Sequence, residues 1–494
     1  MKSAALCLAC LLPLLAAADA RSDDEAAREI LGRALGPTPI VADLQQLTDD
    51  IGGRPTGTAA LNEAVDWGID KFRRAGLENV RAEPYTAALL WVPGAETGQV
   101  TAPATRILRI AALPSTSGTG PAGIAAEVAA VGHGDEADFA AAKDKLRGRW
   151  ALVGTEPMKN FEDLDNEYRI GRRIFEEARA AGAVGLLWTS THPGRLLYRH
   201  PIRFNETVDP LPGAMLEREE ALRIGRLLAS GRTVRLKIVT TPQLLENIRV
   251  ANVVGELRGA TKPDEFVVLG AHLDSWDLGT GALDNGCNAA LVIDAARQMA
   301  AVAKAHRPAR TIRFILFTGE EAGFLGSLAD LRQHRNDLDR VVAMITVDGG
   351  TSRTTGFSTG GRADLVAAAD AALASVQAFG PFTQTTDAFV GTDNYDYLVE
   401  GVPNFVANQD ADTYLPYYHA SSDTFDKVDV RDLKINTAIA AVFTWNLANA
   451  STVPGPRQTR AEIESLIKAT DLERSMRAWG MWDTFVSGTR GRAP

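Results

Sequence analysis

The chain contains 494 residues, of which 45% are hydrophobic and 23% charged, a globular composition that excludes wholesale disorder, collagen-like repeats and coiled coil. Its 52 Lys and Arg against 62 Asp and Glu give a net charge of −10. Since no concentrated basic stripe accompanies this charge, we expect neither nucleic acid nor an anionic membrane as a partner. The length predicts roughly two to four domains.

The N-terminus is typical of a secretory signal peptide. Lys2 is followed by an apolar stretch over residues 6–15 and by small residues at 18–20. We therefore predict a signal peptide over residues 1–20, cleaved after Ala20, and export to the periplasm or the extracellular space. Two of the three cysteines lie in this segment, so no disulfide framework is expected. No later stretch has 18 uninterrupted apolar residues, so we expect no membrane span.

Changes of pattern divide the rest of the chain. Residues 21–85 form an N-terminal segment, in which residues 40–85 read as helix, loop, helix and strand. Residues 86–245, called the insert below, carry short strands among Gly- and Pro-rich turns, with one helix that leads into Gly182. In residues 246–453, continuous Val/Ile/Leu runs alternate with helices, which indicates parallel strands covered on both faces. Residues 454–494 begin with a capping box and predict a helical C-terminal extension.

The predicted fold is therefore α/β, with a mostly parallel central sheet, helices on both faces and a β-rich inserted domain. Three predicted core strands, at 266–271, 311–317 and 341–347, end in residues that can bind a metal. Those residues are His272 and Asp274, then Glu320 and Glu321, then Asp348. Because ligands bind at the carboxyl ends of parallel strands, we expect these side chains to meet. Asp284, in the loop after the first strand, adds a carboxylate before a helix.

Residue type and order suggest what these side chains do. Imidazole and carboxylate without thiolate suit zinc or another borderline divalent ion, although the spacing does not distinguish one metal from two. Asp274 is placed to accept the second imidazole N–H of His272 and fix its tautomer. The adjacent Glu320 and Glu321 cannot point the same way, so one can ligate while the other acts as general base. The pattern predicts metal-assisted hydrolysis.

Single acids after strands are more often helix caps or turn residues, so each candidate alone would carry little weight. Their recurrence with histidine at successive strand ends favours a metal site. The surrounding sequences closely resemble the zinc aminopeptidase family that includes carboxypeptidase Q and its bacterial relatives. The resemblance rests on the runs His272–Asp277, Gly281–Gly286, Thr318–Glu321 and Tyr418–Thr424, and on the N-terminal signature Gly52–Gly57. The insert resembles the protease-associated domain that many members carry.

The resemblance implies a di-zinc exopeptidase with two Zn²⁺ per chain. The implied roles are Asp284 as the bridge, His272 and Asp348 on one ion, Glu321 and His419 on the other, and Glu320 as general base, with Asp274 beside the site. It further implies substrates with a free N-terminus, either dipeptides or short peptides, and it implies homodimers. A cis peptide bond between Asp284 and Asn285 is also expected.

Two alternatives stay open from the sequence. A glutaminyl cyclase-like acyltransferase shares the fold but keeps one catalytic zinc, and a receptor-like relative uses the fold for binding without catalysis. The complete set of candidate ligands favours an enzyme. Cys287 stands where many relatives have a smaller residue, and we expect an inert, buried thiol there. The extension at 454–494 matches no known pattern, so the sequence leaves its role open.

Overall fold

The structure is a computed structural model that describes residues 24–204 and 206–493. The predicted signal peptide, with two of the cysteines, lies outside the described residues. Within them, no helix combines the length and the apolar character needed to cross a membrane. Cys287 is buried and forms no disulfide, as expected for an inert thiol.

The helices and strands alternate along the chain. The helices are α1 (24–35), α2 (Ile40–Gln45), α3 (Ala59–Ala75), α4 (Glu136–Leu146), α5 (Phe161–Ala180), α6 (Arg218–Ala229), α7 (Cys287–Val302), α8 (Leu325–Gln333), α9 (Val366–Ala372), α10 (Asn394–Val399), α11 (Val430–Asn449), α12 (Arg460–Ala469), α13 (Leu472–Ala478) and α14 (Trp482–Val486). The strands are β1 (Glu78–Ala102), β2 (Arg106–Leu108), β3 (Ile110–Ala112), β4 (Ile124–Ala130), β5 (Trp150–Val153), β6 (Gly185–Thr189), β7 (Gly213–Leu216), β8 (Arg235–Leu257), β9 (Lys262–His272), β10 (Arg310–Phe317), β11 (Val341–Thr346), β12 (Thr354–Ser358) and β13 (Asn404–Gln409).

The strands form one 13-stranded sheet in the order β12-β13-β11-β9-β10-β8-β4-β5-β6-β7-β3, with β1 paired to β8 and β2 paired to β1. Strands β13, β11, β9 and β10 are parallel to one another, whereas β12 and β8 run antiparallel at the two ends of this group. The prediction of a mostly parallel α/β sheet with helices is confirmed.

The central strands are buried on both faces, which explains their continuous apolar runs. On one face, Val267 and Leu269 of β9 belong to a large core cluster with α7 and α11. On the other face, Val268 packs in a second cluster with Leu331 of α8 and Tyr397 of α10. A strand covered on both sides has no polar face, so period-two alternation is absent from its sequence.

The insert continues the same sheet instead of starting a separate one. Strands β1 and β8 run through its expected boundaries and pair with each other on both sides of them, for example Tyr85 with Val250 and Leu90 with Leu245. The sequence predicted one helix in the insert, whereas its described residues form α4, α5 and α6, which lie between or after the parallel strands β4 to β7. Parallel neighbours require a crossover connection, usually a helix.

The insert's long helix α5 starts earlier than the single helix expected before Gly182. It begins after the N-cap Asn160, whose side chain accepts the N–H of Asp163. The first turns of α5 are mostly polar, and only its later residues, such as Ile174 and Phe175, are fully buried. The apolar signal in the sequence therefore covers only the second half of the helix.

The C-terminal extension folds into the helices α12, α13 and α14, and its predicted capping box is present. Thr459 Oγ1 accepts the N–H of Glu462 at 3.3 Å, and Glu462 Oε2 accepts the N–H of Thr459 at 2.7 Å. Trp479 at the end of α13 stacks on Phe204 of the insert, with ring centroids 4.5 Å apart, and on Phe324, with centroids 5.7 Å apart. The extension therefore contacts both the insert and the start of α8.

An ion pair between β1 and the end of α8 makes stability depend on pH. His334 Nε2 lies 3.0 and 3.1 Å from the two carboxylate oxygens of Glu83. This hydrogen bond raises the pKa of His334, and against the effect of burial it lowers the pKa of Glu83. Protonated His334 stabilises the fold fully below its unfolded pKa, whereas ionised Glu83 does so above its own. The pair should therefore contribute most between about pH 4.5 and 6.5.

We expect His334→Gln to lower the urea midpoint of unfolding clearly at pH 5.5 and less at pH 9, because raising the pH removes the proton of wild-type His334 and with it the ion pair. Urea titrations of both proteins at the two pH values measure the difference. His133→Gln, which replaces an exposed histidine of the insert, is the control and should leave the midpoint unchanged. An equal loss at both pH values for His334→Gln would contradict the ion-pair explanation.

Candidate metal centre

The candidate ligands meet at the carboxyl edge of the parallel strands. His272 ends β9, Glu320 and Glu321 follow β10, and Asp348 follows β11. The register places Phe317, the last residue of β10, directly beside His272. The other two candidates come from loops: Asp284 lies just before α7, and His419 lies in the loop after β13. All of them are at least nine-tenths buried as side chains.

Asp284 lies at the centre of this group, between the two histidines. Its Oδ1 is 3.2 Å from Nε2 of His272, and its Oδ2 is 3.2 Å from Nε2 of His419. Each imidazole also faces one further carboxylate: Asp348 Oδ1 is 3.4 Å from the first, and Glu321 Oε2 is 3.0 Å from the second. The site thus consists of two halves that share Asp284.

The adjacent glutamates point to different halves. Glu321 contacts His419, whereas the nearest atom of Glu320, Oε2, stays 4.0 Å from Nε2 of His272. Backbone geometry separates the two side chains, as expected for neighbouring residues. Both backbone N–H groups, of Glu320 and of Glu321, donate to the Asp274 carboxylate, each at 3.3 Å. That carboxylate also accepts the Thr56 hydroxyl at 2.7 Å, so it holds the glutamate pair in place.

The orientation of His272 differs in detail from the sequence-based prediction. Its Nδ1 lies 3.0 Å from the backbone oxygen of Asp274 and 3.7 Å from the carboxylate of the same residue. The nearer acceptor is therefore the main chain. On His419, Nδ1 lies 2.9 Å from the backbone oxygen of Arg199 in the insert. In both histidines a carbonyl favours the Nδ1–H tautomer and leaves Nε2 directed at Asp284.

A buried arginine joins the loops that carry the site. Arg54 is fully buried and donates to four backbone carbonyls. These belong to Gly52, Leu273, Thr280 and Gly281. The bonds tie the end of β9 to the loop that carries Asp284. Gly281 has φ +60° in this loop, and a Cβ there would lie 2.3 Å from Ser275 Cβ, so both the conformation and the close packing require glycine.

The loop around Asp284 is held from the other side by Asp423. Its carboxylate accepts the N–H groups of Leu283 at 2.7 Å and Asp284 at 3.1 Å. The Asp284–Asn285 peptide bond is cis, as the family resemblance implied. The sequence analysis gave no role to Arg54, Thr56 and Asp423, although they lie in the runs Gly52–Gly57 and Tyr418–Thr424. Their partners are mostly backbone groups far away in the chain, and sequence spacing carries no signal for such contacts.

Negative charge exceeds positive charge within the site. Burial raises the pKa of the Glu320 carboxyl well above its usual range and that of Glu321 to about 7. Against the effect of burial, Glu321 and Asp284 raise the pKa of His419 to about 10. These carboxylates therefore favour a cation among them.

Unpaired carboxylate oxygen atoms also favour a bound cation in the site. Among the residues that the structure describes, none donates a hydrogen bond to Asp284 Oδ2, Glu321 Oε1 or Asp348 Oδ1. A buried carboxylate oxygen is costly unless it is hydrogen-bonded or bound to a cation. Within this site, two groups of side chains could hold an ion, with donor atoms within 4.8 Å of one another: His272, Glu320 and Asp348, and His272, Asp284 and Glu321. The donor set, imidazole and carboxylate, fits a zinc-like ion.

The space beside the site is narrow. A cavity of about 10 Å³ is lined by Trp276, Asp284, Glu321 and His419, among others. A second cavity of about 30 Å³ lies between Trp91, Trp276 and Glu321. Each has room for about one or two water molecules. The insert and the candidate ligands therefore enclose the centre closely.

This fold and this group of side chains agree with what a family comparison finds. Residues 252–444 match the family model of peptidase family M28, and this range contains every candidate ligand from His272 to His419. That part of the chain is therefore similar to peptidase family M28, and the protein is a peptide-bond hydrolase.

Similar proteins extend the match beyond this range. The chain is 28% identical to carboxypeptidase Q of Mus musculus over 405 residues, 82% of this chain and 84% of the relative. It is 27% identical to carboxypeptidase Q of Homo sapiens over 408 residues, with the same shares. A solved structure of a peptidase M28 precursor from Shewanella amazonensis has a TM-score of 0.80 and 26% identity, covering 88% of this chain and 99% of that chain. A zinc aminopeptidase from Bacillus subtilis shares the fold, with a TM-score of 0.64 and 18% identity over 82% and 93%.

Proposed function

We propose that this protein is a zinc-dependent exopeptidase that hydrolyses the N-terminal peptide bond of dipeptides or short peptides with two Zn²⁺ per chain. The observation that carries the proposal is Asp284, whose two oxygens each lie 3.2 Å from a different imidazole. A carboxylate has two oxygens and can bridge two metal ions. The names of its relatives, carboxypeptidase Q and a zinc aminopeptidase, support zinc and peptide substrates.

In this proposal each half of the site holds one ion. The ligands would be His272, Asp284 and Asp348 on one side, and His419, Asp284 and Glu321 on the other. When bound, the zinc pair would lower the pKa of a water molecule and polarise the peptide carbonyl. The unpaired oxygens Asp284 Oδ2, Glu321 Oε1 and Asp348 Oδ1 are distributed over both halves, which favours two ions over the single ion of a cyclase.

Glu320 would move the proton. Its carboxylate is buried and contacts His272 only at 4.0 Å, so it is the acid of the site least engaged by an imidazole. It would take a proton from the attacking water and return it to the leaving amine. Asp274 would keep Glu320 at this position, since it accepts the backbone N–H groups of both glutamates.

The enclosure of the site supports short substrates. The hydroxyl groups of Tyr168 in the insert and Tyr418, next to His419, form a hydrogen bond of 2.7 Å. Behind them, the rings of Phe204 of the insert, Phe324 at the start of α8 and Trp479 of the extension stack on one another. This wall leaves little room for a chain that continues past the scissile bond. We also propose that the protein works after export, directed by residues 1–20.

Metal content and peptide release test the proposal together. We expect two zinc ions per chain, measured by mass spectrometry of the purified protein. We expect hydrolysis of dipeptides, loss of hydrolysis when the dipeptides are N-acetylated, and slower release from tetrapeptides because the wall restricts longer chains. One zinc per chain without release of amino acids would instead indicate a cyclase. A folded protein that binds zinc and dipeptides without cleaving them would indicate a receptor-like relative.

A further inference from the structure

The two histidines of the centre are oriented by different parts of the molecule. The acceptor of the His272 Nδ1–H is the carbonyl of Asp274, two residues away in the same loop. The acceptor of the His419 Nδ1–H is the carbonyl of Arg199, which lies 220 residues earlier, in the insert. One half of the site is therefore complete within residues 246–453, called the catalytic part below, whereas the other half depends on the insert.

The contact between Arg199 and His419 is one step in a short ladder of backbone bonds. Arg199 N–H donates to the carbonyl of His419 at 3.1 Å, and Ser421 N–H donates to the carbonyl of Leu197 at 3.0 Å. Tyr198 and Ala420 form an antiparallel bridge between these bonds. Residues 197–199 therefore lie against residues 419–421 as a strand lies against its neighbour, and they fix the backbone at His419.

This backbone support matters because His419 has an uncommon conformation. Its φ is +54°, in the left-handed region that a residue other than glycine adopts at a free-energy cost. The conformation turns Nε2 toward Asp284 and Glu321, at 3.2 and 3.0 Å. A His419 that relaxed to an ordinary φ would point its ring elsewhere. The neighbouring segment at 197–199 opposes that relaxation.

The side chain of Arg199 anchors this segment to the catalytic part. Only 1% of the residue is exposed. Its Nε and Nη2 donate to both carboxylate oxygens of Asp277, at 2.9 and 2.8 Å. Its Nη1 donates to Glu96 Oε1 at 2.6 Å and to the carbonyl of Ala112 at 2.9 Å. Such a forked pair on a buried guanidinium has one geometry, which only an arginine can adopt.

Asp277 closes the connection, since it belongs to the loop that begins with His272. Between them lies Trp276, whose ring meets the ring of His419 edge-on, with centroids 6.0 Å apart. The guanidinium of Arg199 thus holds the insert to the loop after β9, while the carbonyl of the same residue holds the ring of His419. One residue of the insert links the loops that carry the two histidines.

We propose that Arg199 is a positioning residue of the metal centre and that the insert is a structural part of the His419 half. The inference rests on the proposed two-zinc function. Loss of the Arg199 side chain should release segment 197–199, let the ring of His419 turn, and weaken the ion bound by His419 and Glu321. The His272 half should keep its ion, because its own orienting carbonyl comes from Asp274.

Zinc titration of Arg199→Gln, with free zinc set by a competing chelator, tests this. We expect one of the two ions to bind about 10- to 100-fold more weakly and the other to bind as in the wild type. The visible spectrum of the Co²⁺-substituted variant should lose the contribution of one site. On dipeptides, kcat should fall with little change in KM, since the substrate contacts remain.

Arg218→Gln is the matched control. Arg218 is also a buried arginine of the insert, and its guanidinium donates to the carbonyls of Thr155 and Ser190, inside the insert. We expect it to lower the melting temperature while leaving both zinc affinities unchanged. Equal loss of zinc in both variants would show general destabilisation of the insert and overturn the proposal. A folded Arg199→Gln protein that binds both ions with wild-type affinity would also overturn it.

Two further variants cover a failure of Arg199→Gln to fold. Arg199→Lys keeps the positive charge but cannot make the two parallel hydrogen bonds to Asp277. Its affinity for the ion of the His419 half should lie between the wild-type affinity and the affinity expected for Arg199→Gln. Wild-type affinity in Arg199→Lys would contradict the role of the fork. Asp277→Asn should weaken zinc binding in the His419 half to a similar extent. In the double variant with Arg199→Lys, the loss of affinity should be smaller than the sum of the two single losses. If the wild-type protein itself binds fewer than two zinc ions, the proposed two-zinc function is wrong. If it binds two and only the Arg199 variants behave otherwise than expected, the positioning role alone is wrong.

Discussion

Replacing Glu320 with glutamine should lower kcat on dipeptides by about 10²- to 10⁴-fold, the usual contribution of a general acid–base group. Glutamine keeps the shape of the side chain but cannot take a proton from water. The ligand carboxylates and both imidazoles are unchanged, so zinc content should stay at the wild-type value. KM should change little, because the substrate is bound by other groups. Steady-state kinetics and metal analysis on the same preparation measure both quantities.

Glu63→Gln is the matched control for this substitution, because Glu63 is an exposed residue of α3 far along the chain from the site. It should leave kcat and zinc content at their wild-type values. If Glu320→Gln retains more than about a tenth of wild-type kcat, Glu320 is not the proton carrier. If instead it loses zinc, Glu320 is a ligand, which the group His272, Glu320 and Asp348 would also permit.

Replacing Asp284 with asparagine should remove the bridge and weaken zinc binding in both halves, by about 100-fold or more, since a direct ligand is lost and not only a supporting group. An amide offers one oxygen and one NH₂ group, so it can face only one of the two imidazoles as an acceptor. Activity should disappear with the metal. Zinc titration and the zinc-induced rise in melting temperature report the effect independently of catalysis.

The control is Asp294→Asn on α7. Asp294 is fully buried, ten residues further along, and pairs with Arg297. Its replacement should lower stability but leave the zinc affinities unchanged, because Asp294 does not face the centre. If Asp284→Asn binds two ions as tightly as the wild type, Asp284 is not a bridging ligand. A loss restricted to one ion would place Asp284 in only one half of the site.

Much of the catalytic part could be predicted from the sequence. Continuous apolar runs marked β9, β10 and β11 because these strands are buried on both faces. The residues after each run lie at a common edge because parallel strands end together. Both facts depend on residue type and on neighbours in the chain. They led to His272, Asp284, Glu320, Glu321 and Asp348, which the structure brings together. His419 came from the family resemblance alone.

The insert was harder to predict. Its turns and short strands suggested a single helix, whereas α4, α5 and α6 accompany its parallel strands β4 to β7. Polar first turns hid most of α5, because its fully buried apolar residues, such as Ile174 and Phe175, lie in its second half. The shared strands β1 and β8 also conceal the boundaries, because the chain stays extended across them.

The sequence by itself determined the sheet, the edge at which the chemistry lies and the set of side chains that could bind a metal. Only the tertiary structure decided which oxygen faces which imidazole, and that the carbonyls of Asp274 and Arg199 orient the two rings. The physical reason is that every residue has a backbone carbonyl, so a hydrogen bond to one leaves no mark in residue type or spacing. Arg54 and Arg199 hold the centre through such bonds, and their roles emerge only once distant segments lie side by side.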